Sequence, residues 1–256
     1  MSEEKVFIKT RGAIKAMQSL DRIRDEKIIG MMIARAGFGK TYSIKAWLRR
    51  QAEGFRFFWI EADVLTSPRP ILDCFSRALG LGQTSGQSST LFYTKQRIAE
   101  ALARDPVMAI IGQADMLSVP RSFELLRSIW DEVSSLRDTD GESGFPLALF
   151  GTPKLSASMA REDLEPLRRR IFHHAILPGL SRKELETILQ TKWPGFICPD
   201  ESVNQILRLS QGSFGWLNDI MKIATLIAAK NGRTISPAIL RETQKELLGL
   251  PDEETA

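Results

Sequence analysis

The chain has 256 residues, 43% hydrophobic and 26% charged, an ordinary globular balance with core enough to need no staples. Lys and Arg number 35 against 31 Asp and Glu, a net charge of +4, which permits a nucleic-acid partner without demanding one. Two distant cysteines, Cys74 and Cys198, predict no zinc site and no disulfide framework and suit a reducing cytoplasm, while a charged N-terminus and the lack of any run of about 18 apolar residues predict neither a signal peptide nor a membrane span.

Along the chain, short apolar runs alternate with amphipathic segments. Residues 27–34, KIIGMMIA, form the first buried-strand candidate, and a glycine loop leads from it into a helix over 41–53. FRFFWIEA (55–62) is aromatic and β-branched, hence a strand. Trp47, Phe57, Phe58 and Trp59 fall at apolar positions and are expected in the core. A helix over 67–80 opens near Pro70 and stops at Gly80, and a polar loop covers 82–89. A helix follows over 91–104, then a buried strand over 106–112. Helical spacing returns at Phe123, Leu126, Trp130 and Val133; a loop over 138–144 precedes another buried strand over 145–151. From Glu162 a helix runs into a further short strand. Strands alternating with helices predict an α/β fold built on a doubly wound parallel sheet.

From about Leu180 the strands stop. Residues 181–193, 200–212, 214–232 and 236–248 read as four helices, the third with an apolar stripe of Leu217, Ile220, Met221, Ala224 and Ile227. The expected organisation is a nucleotide-binding domain over 1–178, a small helical domain over 179–250 and a tail over 251–256.

The loop itself is Ala34-Arg35-Ala36-Gly37-Phe38-Gly39-Lys40-Thr41. A phosphate loop needs glycines that let backbone N–H groups curl around oxygens, a lysine to neutralise β and γ charge, and a hydroxyl for Mg²⁺, in the spacing G-x-x-x-x-G-K-[ST]. Only the first glycine is replaced, by Ala34. The position after a strand and at a helix start adds the favourable N-terminal dipole. Residues 34–41 are therefore expected to bind ATP, with Thr41 holding Mg²⁺ through its hydroxyl.

The acidic half of such a machine sits at the end of another apolar run, where an Asp serves Mg²⁺ and a Glu polarises the attacking water. After Met108–Ile111 this chain has Gly112 and Gln113. Gly112 has no side chain, and Gln113 has the shape of Glu without its basicity. Asp115 lies two to three residues beyond the expected place and suits a cap or the start of the next segment better than a rescue of the acid; Glu61 and Asp63, at the end of the second strand, are the other stand-ins. Loss of a general base costs about 10²- to 10⁴-fold in rate. ATP binding with very slow or absent hydrolysis is expected.

Four stretches carry a family resemblance over roughly residues 5–245: ARAGFGKT, IIGQADML, ALFGTPKL (148–155), and LRRRIFHHAILPGLSRKEL (167–185) with LSQGSFGWLNDIMKIATLIAAKNGRTIS (209–236). Together they resemble the AAA+ ATPases of DNA transposition, the phage Mu B, TnsC and TniB group, with the broader ExeA-type AAA domains and IstB behind it. The resemblance implies a P-loop AAA+ domain with a C-terminal helical lid. It puts Thr152 at the polar sensor position and Gln113 at the altered acidic position. It makes Arg170 the best arginine finger, reaching a neighbouring subunit's γ-phosphate, with Arg168 and Arg169 as alternatives. The second sensor, usually basic, falls on Trp216, which is expected in the lid core. No extra N-terminal DNA-binding domain is expected within these residues.

The implied partners are further copies of the chain in a ring or filament, double-stranded DNA and a transposase, in the cytoplasm of a bacterial host cell carrying a mobile element or phage, with no membrane. Arg77, Lys95 and Arg97 are candidate DNA contacts, and each also fits an ordinary surface charge. Two other readings stay open: a turning-over AAA+ ATPase such as a helicase loader, and an interaction module that has lost nucleotide. Adjacent His173 and His174 face opposite sides of a strand and predict no metal site.

Overall fold

A computed structural model describes residues 7–54, 56–82, 90–105, 107–117, 119–138 and 143–248. The tail expected over 251–256, nearly all of the loop expected over 82–89, and residues 139–142 lie outside these. Five parallel strands, β1 (Ile29–Ile33), β2 (Phe57–Glu61), β3 (Met108–Gly112), β4 (Leu147–Gly151) and β5 (Ile171–Ile176), form one sheet in the order β2-β3-β4-β1-β5. β1, β3 and β4 are buried at every residue, as expected of central strands in a sheet covered on both faces. The register pairs Ile33 with Gly151 and Gly112 with Glu61. The carboxyl ends of four strands thus line one edge, where open α/β sheets take their ligands.

β2 is an edge strand, and this corrects one expectation. Of the four aromatic residues placed in the core, Trp47 is fully buried, but Phe57 is 40% exposed and Phe58 and Trp59 are only half-buried. An edge strand has a neighbour on one side only, so part of its surface stays wet. Phe58 still packs edge-on against Phe75, with ring centroids 4.5 Å apart.

The helices before the sheet's last strand are α1 (Arg11–Glu26), α2 (Lys40–Leu48), α3 (Pro68–Ala78), α4 (Leu91–Arg104), α5 (Arg121–Leu136), α6 (Pro153–Met159) and the single turn α7 (Glu165–Arg168). α1 has no counterpart among the predicted elements. Its Ala13, Ala16, Met17, Leu20 and Ile23 are buried at the three- and four-residue spacing of one helix face. Thr10 caps it, its hydroxyl accepting from the Ala13 amide at 3.2 Å. Within the sheet unit α1 crosses β1 at Gly30, where an added Cβ would meet Ile23 Cδ1 at 2.2 Å. The helix expected from Glu162 is shorter than the reading gave: a 3₁₀ turn over Glu162–Leu164 and then α7 precede β5. At the centre of the sheet's core, Trp130 on α5 is buried and its indole N–H donates to the Phe145 carbonyl at 3.1 Å.

The strandless C-terminal region forms α8 (Arg182–Lys192), α9 (Asp200–Ser210), α10 (Phe214–Ala229) and α11 (Pro237–Leu248). Leu185, Ile188, Ile206, Leu217, Ile220, Met221, Ala224 and Leu240 make a second core, against which Ile227 is partly buried. By internal contacts the chain forms two compact units. Among the described residues, one holds those in 7–14, 35–40 and 178–248, and the other those in 15–34 and 41–177. Among the described residues no helix is long and apolar enough to cross a membrane.

In the first of these units, Glu184 joins two helix starts. Its carboxylate closes a capping box with Ser181 at α8 and also accepts the Arg11 amide that opens α1. Burial alone would raise its pKa; the amides of Arg11 and Ser181, the Ser181 hydroxyl and the Arg11 charge outweigh burial and hold it low. A carboxylate depressed on folding contributes stability above the unfolded value near 4.3, lost as pH falls through the folded one. Glu184→Gln is expected to cost about 1–2 kcal/mol at neutral pH, with the gap to the unaltered chain closing below about pH 4 in urea titrations. Trp130→Ala, which empties the sheet's core, is expected to cost about 3–5 kcal/mol by the same measurement.

Candidate functional site

The glycine loop leaves β1 and opens α2. Gly37 and Gly39 have φ of +75° and +81°, and Phe38 between them does not share this conformation. Such alternation folds successive N–H groups into an anion-binding concavity, and nothing lies within 4 Å of where a Gly39 Cβ would be. Lys40 begins α2 and reaches back, its Nζ donating to the Arg35 carbonyl at 3.2 Å. Thr41 follows, exposed, in the first turn.

Ala34, which replaces the usual first glycine, has an ordinary physical explanation. It is buried, its amide donates to the Gly151 carbonyl at 3.0 Å, and its φ is not positive. It directly follows β1, and a backbone outside the left-handed region accepts a methyl group.

The loop is held in place by its own unit. The Gly37 carbonyl accepts from the amides of Phe214 and Gly215, at 2.8 and 3.2 Å, at the start of α10. A Cβ on Gly37 would meet the Ser213 hydroxyl oxygen at 2.1 Å, so glycine is required by both space and φ. Arg35 donates to the Gln211 side-chain oxygen at 3.1 Å, and Phe38 packs so tightly on Gly179 that a Cβ there would lie 2.9 Å from its ring. Ser213 and Gly215 are not among the predicted site residues; their signal is the stretch Gly212-Ser213-Phe214-Gly215 at the start of α10. Trp216 corrects an expectation. It is not in the lid core but 50% exposed, because it sits in the first turn of α10, off the face formed by Leu217, Ile220 and Met221.

At the carboxyl edge of the sheet the acids take separate jobs. Asp115 lies in a 3₁₀ turn after β3. Its two carboxylate oxygens accept from the Thr152 amide and hydroxyl, each at 2.9 Å. Thr152 caps α6 directly after β4, and Gly151 leaves space that Leu155 and Asp115 take up, since a Cβ there would lie 2.6 Å from Leu155 Cβ and 2.9 Å from Asp115 Oδ1. Asp63 closes a local turn, accepting from the Leu65 amide and the Thr66 hydroxyl at 2.9 and 2.8 Å. Gln113, in the left-handed region at φ 51°, places its amide nitrogen 3.4 Å from Glu61 Oε2.

The arginine triplet is engaged within the chain. Arg168 donates to the Met159 carbonyl. Arg169 pairs with Glu165 and keeps a side chain 74% exposed. Arg170 pairs with Asp131 at 2.8 Å, and Asp131 is shared with Arg127. Of the three candidate DNA contacts, Lys95 is bound to Glu132 and Ser128, Arg97 is half-buried, and exposed Arg77 donates to the Asp73 carbonyl at 3.4 Å. His173 meets the Ser19 hydroxyl at 2.9 Å; burial and the Arg22 charge push its imidazole down, toward neutrality.

Asp115→Ala leaves the amide and hydroxyl of Thr152 without their acceptor and is expected to cost about 1–3 kcal/mol. Thr152→Val should cost much less in that background than alone, as a double-mutant cycle in chemical denaturation would show.

The donor set fits a nucleotide triphosphate with Mg²⁺: a glycine cradle, a lysine, a hydroxyl and a helix start. Comparison with known proteins agrees in fold. Three solved structures illustrate the likeness. The Aeropyrum pernix Orc1 protein in complex with DNA is 16% identical, with a TM-score of 0.62 over 96% of this chain and 68% of that one. The Aeropyrum pernix Orc2 protein, in ADPNP–ADP complexes, is 19% identical, with a TM-score of 0.57 over 96% and 70%. The Thermotoga maritima RuvB Holliday junction branch migration motor is 19% identical, with a TM-score of 0.56 over 96% and 72%. No curated protein sequence matches the chain. The family model for an AAA domain matches residues 23–159, more than half of the 256, and the chain therefore belongs to the AAA domain family, with the parallel sheet and helical C-terminal region of a P-loop AAA+ ATPase.

Proposed function

We propose that this protein binds ATP through residues 34–41, assembles with its own copies on double-stranded DNA, and regulates transposition by recruiting a transposase to its target in a bacterial cytoplasm. The observation that carries the nucleotide part is the loop: two left-handed glycines, then Lys40 and Thr41 opening α2. Gly37, Phe38 and Gly39 would supply N–H groups to phosphate oxygens. Lys40 would turn from the Arg35 carbonyl to the β and γ oxygens, and Thr41 would hold Mg²⁺, which supplies charge neutralisation to the triphosphate. Gln113 cannot take a proton from water, so turnover is slow. ATP then acts as a ligand that stabilises the assembled state.

The DNA part draws support from the company this fold keeps: an Orc1 protein bound to DNA and a branch migration motor. The transposition part rests on the sequence resemblance in the four stretches quoted above. Arg169, the most exposed of the triplet, joins Arg170 as a finger toward a neighbouring copy, since an exposed i,i+4 pair is worth only about 0.3–0.5 kcal/mol and is readily exchanged.

Sedimentation of the protein with plasmid DNA, with and without ATP and Mg²⁺, tests this reading while released phosphate is measured in the same tubes. ATP-dependent co-sedimentation with little phosphate is expected. Steady phosphate would favour a turning-over motor, and no ATP effect would favour an interaction module without nucleotide. Lys40→Ala should weaken ATP binding on the order of 10- to 100-fold, the worth of one charge-assisted hydrogen bond, and abolish the ATP-dependent pellet.

A further inference from the structure

Gly112 stands where AAA+ proteins carry an acid, and its glycine is not required by the backbone. It lies in regular strand β3, buried, with φ outside the left-handed region. What it provides is room. A Cβ at 112 would meet Glu61 Oε2 at 2.3 Å, Cδ at 2.7 Å and Oε1 at 2.9 Å. The whole Glu61 carboxyl group therefore fills the volume that a side chain at 112 would occupy.

The register explains how it gets there. Glu61 and Gly112 are directly paired across β2 and β3, and the next amide, Ala62, donates to the Gly112 carbonyl at 2.9 Å. Adjacent strands lie about 4.8 Å apart. A glutamate is long enough to lean across that gap, provided its partner has no side chain. From the structure we infer that Glu61 is the magnesium-facing carboxylate of this protein, an acid carried on β2 in place of the one missing from β3. The inference rests on the ATP·Mg²⁺ reading above and names the residue that completes it.

Gln113 fits the same arrangement. Its amide nitrogen lies 3.4 Å from Glu61 Oε2, where a glutamate would set a second negative charge against the first. Both departures from the acidic pair thus follow from one relocated carboxylate. The other acids at this edge are committed elsewhere, Asp115 to Thr152 and Asp63 to its turn. One carboxylate is sufficient for the purpose, because Mg²⁺ takes most of its ligands from phosphate and water. Glu61 is exposed, so altering it leaves the core intact.

The test is equilibrium binding of a fluorescent ATP analogue, measured in Mg²⁺ and in EDTA, with thermal unfolding of every variant as the folding control. The unaltered chain should bind on the order of 10-fold or more tightly in Mg²⁺. Glu61→Gln should bring that ratio close to one while leaving affinity in EDTA unchanged. Gly112→Asp alone crowds two carboxylates into one space and should not raise the ratio. Gly112→Asp combined with Glu61→Gly returns the acid to β3 and should restore it. A ratio unchanged by Glu61→Gln, or no Mg²⁺ preference in the unaltered chain, would overturn the assignment of Glu61 alone. No binding in either buffer would overturn the nucleotide reading, and the assignment with it.

Discussion

Every strand of a parallel sheet ends on the same side, and that constraint organises this molecule. It lines up Ile33, Gly151, Gly112 and Glu61 along one edge. From that edge the glycine loop departs after β1, Thr152 follows β4, and Asp115 follows β3. The groups are far apart in the chain and have no local reason to meet. Register makes neighbours of Glu61 and Gly112, and the turn after β3 brings the Asp115 carboxylate to Thr152 at the end of β4. The all-buried strands that fix the register are therefore as much a part of the site as the polar side chains at their ends.

In each compact unit, polar groups next to a glycine are tied down in pairs. Asp115 holds Thr152 by two bonds, so the residue after β4 is fixed in both backbone and side chain. Ser213 caps α10 by accepting from Trp216, and it also sets the limit on what residue can stand at 37. In both places a glycine admits a partner that any other residue would expel. The glycines of this chain serve two different needs. Gly37 and Gly39 supply left-handed backbone, whereas Gly30, Gly112 and Gly151 supply empty volume within ordinary strand.

Much of the fold was legible because parallel strands read as short apolar runs: the first four were located within two residues at each end, and the fifth was expected after the segment from Glu162 without bounds. The four C-terminal helices were legible as helical segments with no strand between them, the third also from its apolar stripe. Helix α1 was not, because its inner face is built partly from Ala13, Ala16 and Ser19, small residues that bury well but signal weakly among seven charged neighbours on the same helix. The loop Ala34–Thr41 announced its shape through its glycines. The role of Gly112 could not be read, since a glycine in a strand shows only an absence, and what fills it depends on strand order. Trp216 and Phe57 were misplaced for a related reason: periodicity identifies apolar positions but not which turn or strand lies at the margin.

The bond from Gly37 to the start of α10 has a consequence for how the protein could be watched. Helix starts leave their first amides to the solvent, yet here the amides of Phe214 and Gly215 are closed off by a carbonyl of the glycine loop. Their exchange with heavy water is governed by the loop's conformation rather than by fraying of the helix itself. Two backbone hydrogens, remote in sequence from residues 34–41, thereby become a built-in clock for the opening and closing of that loop.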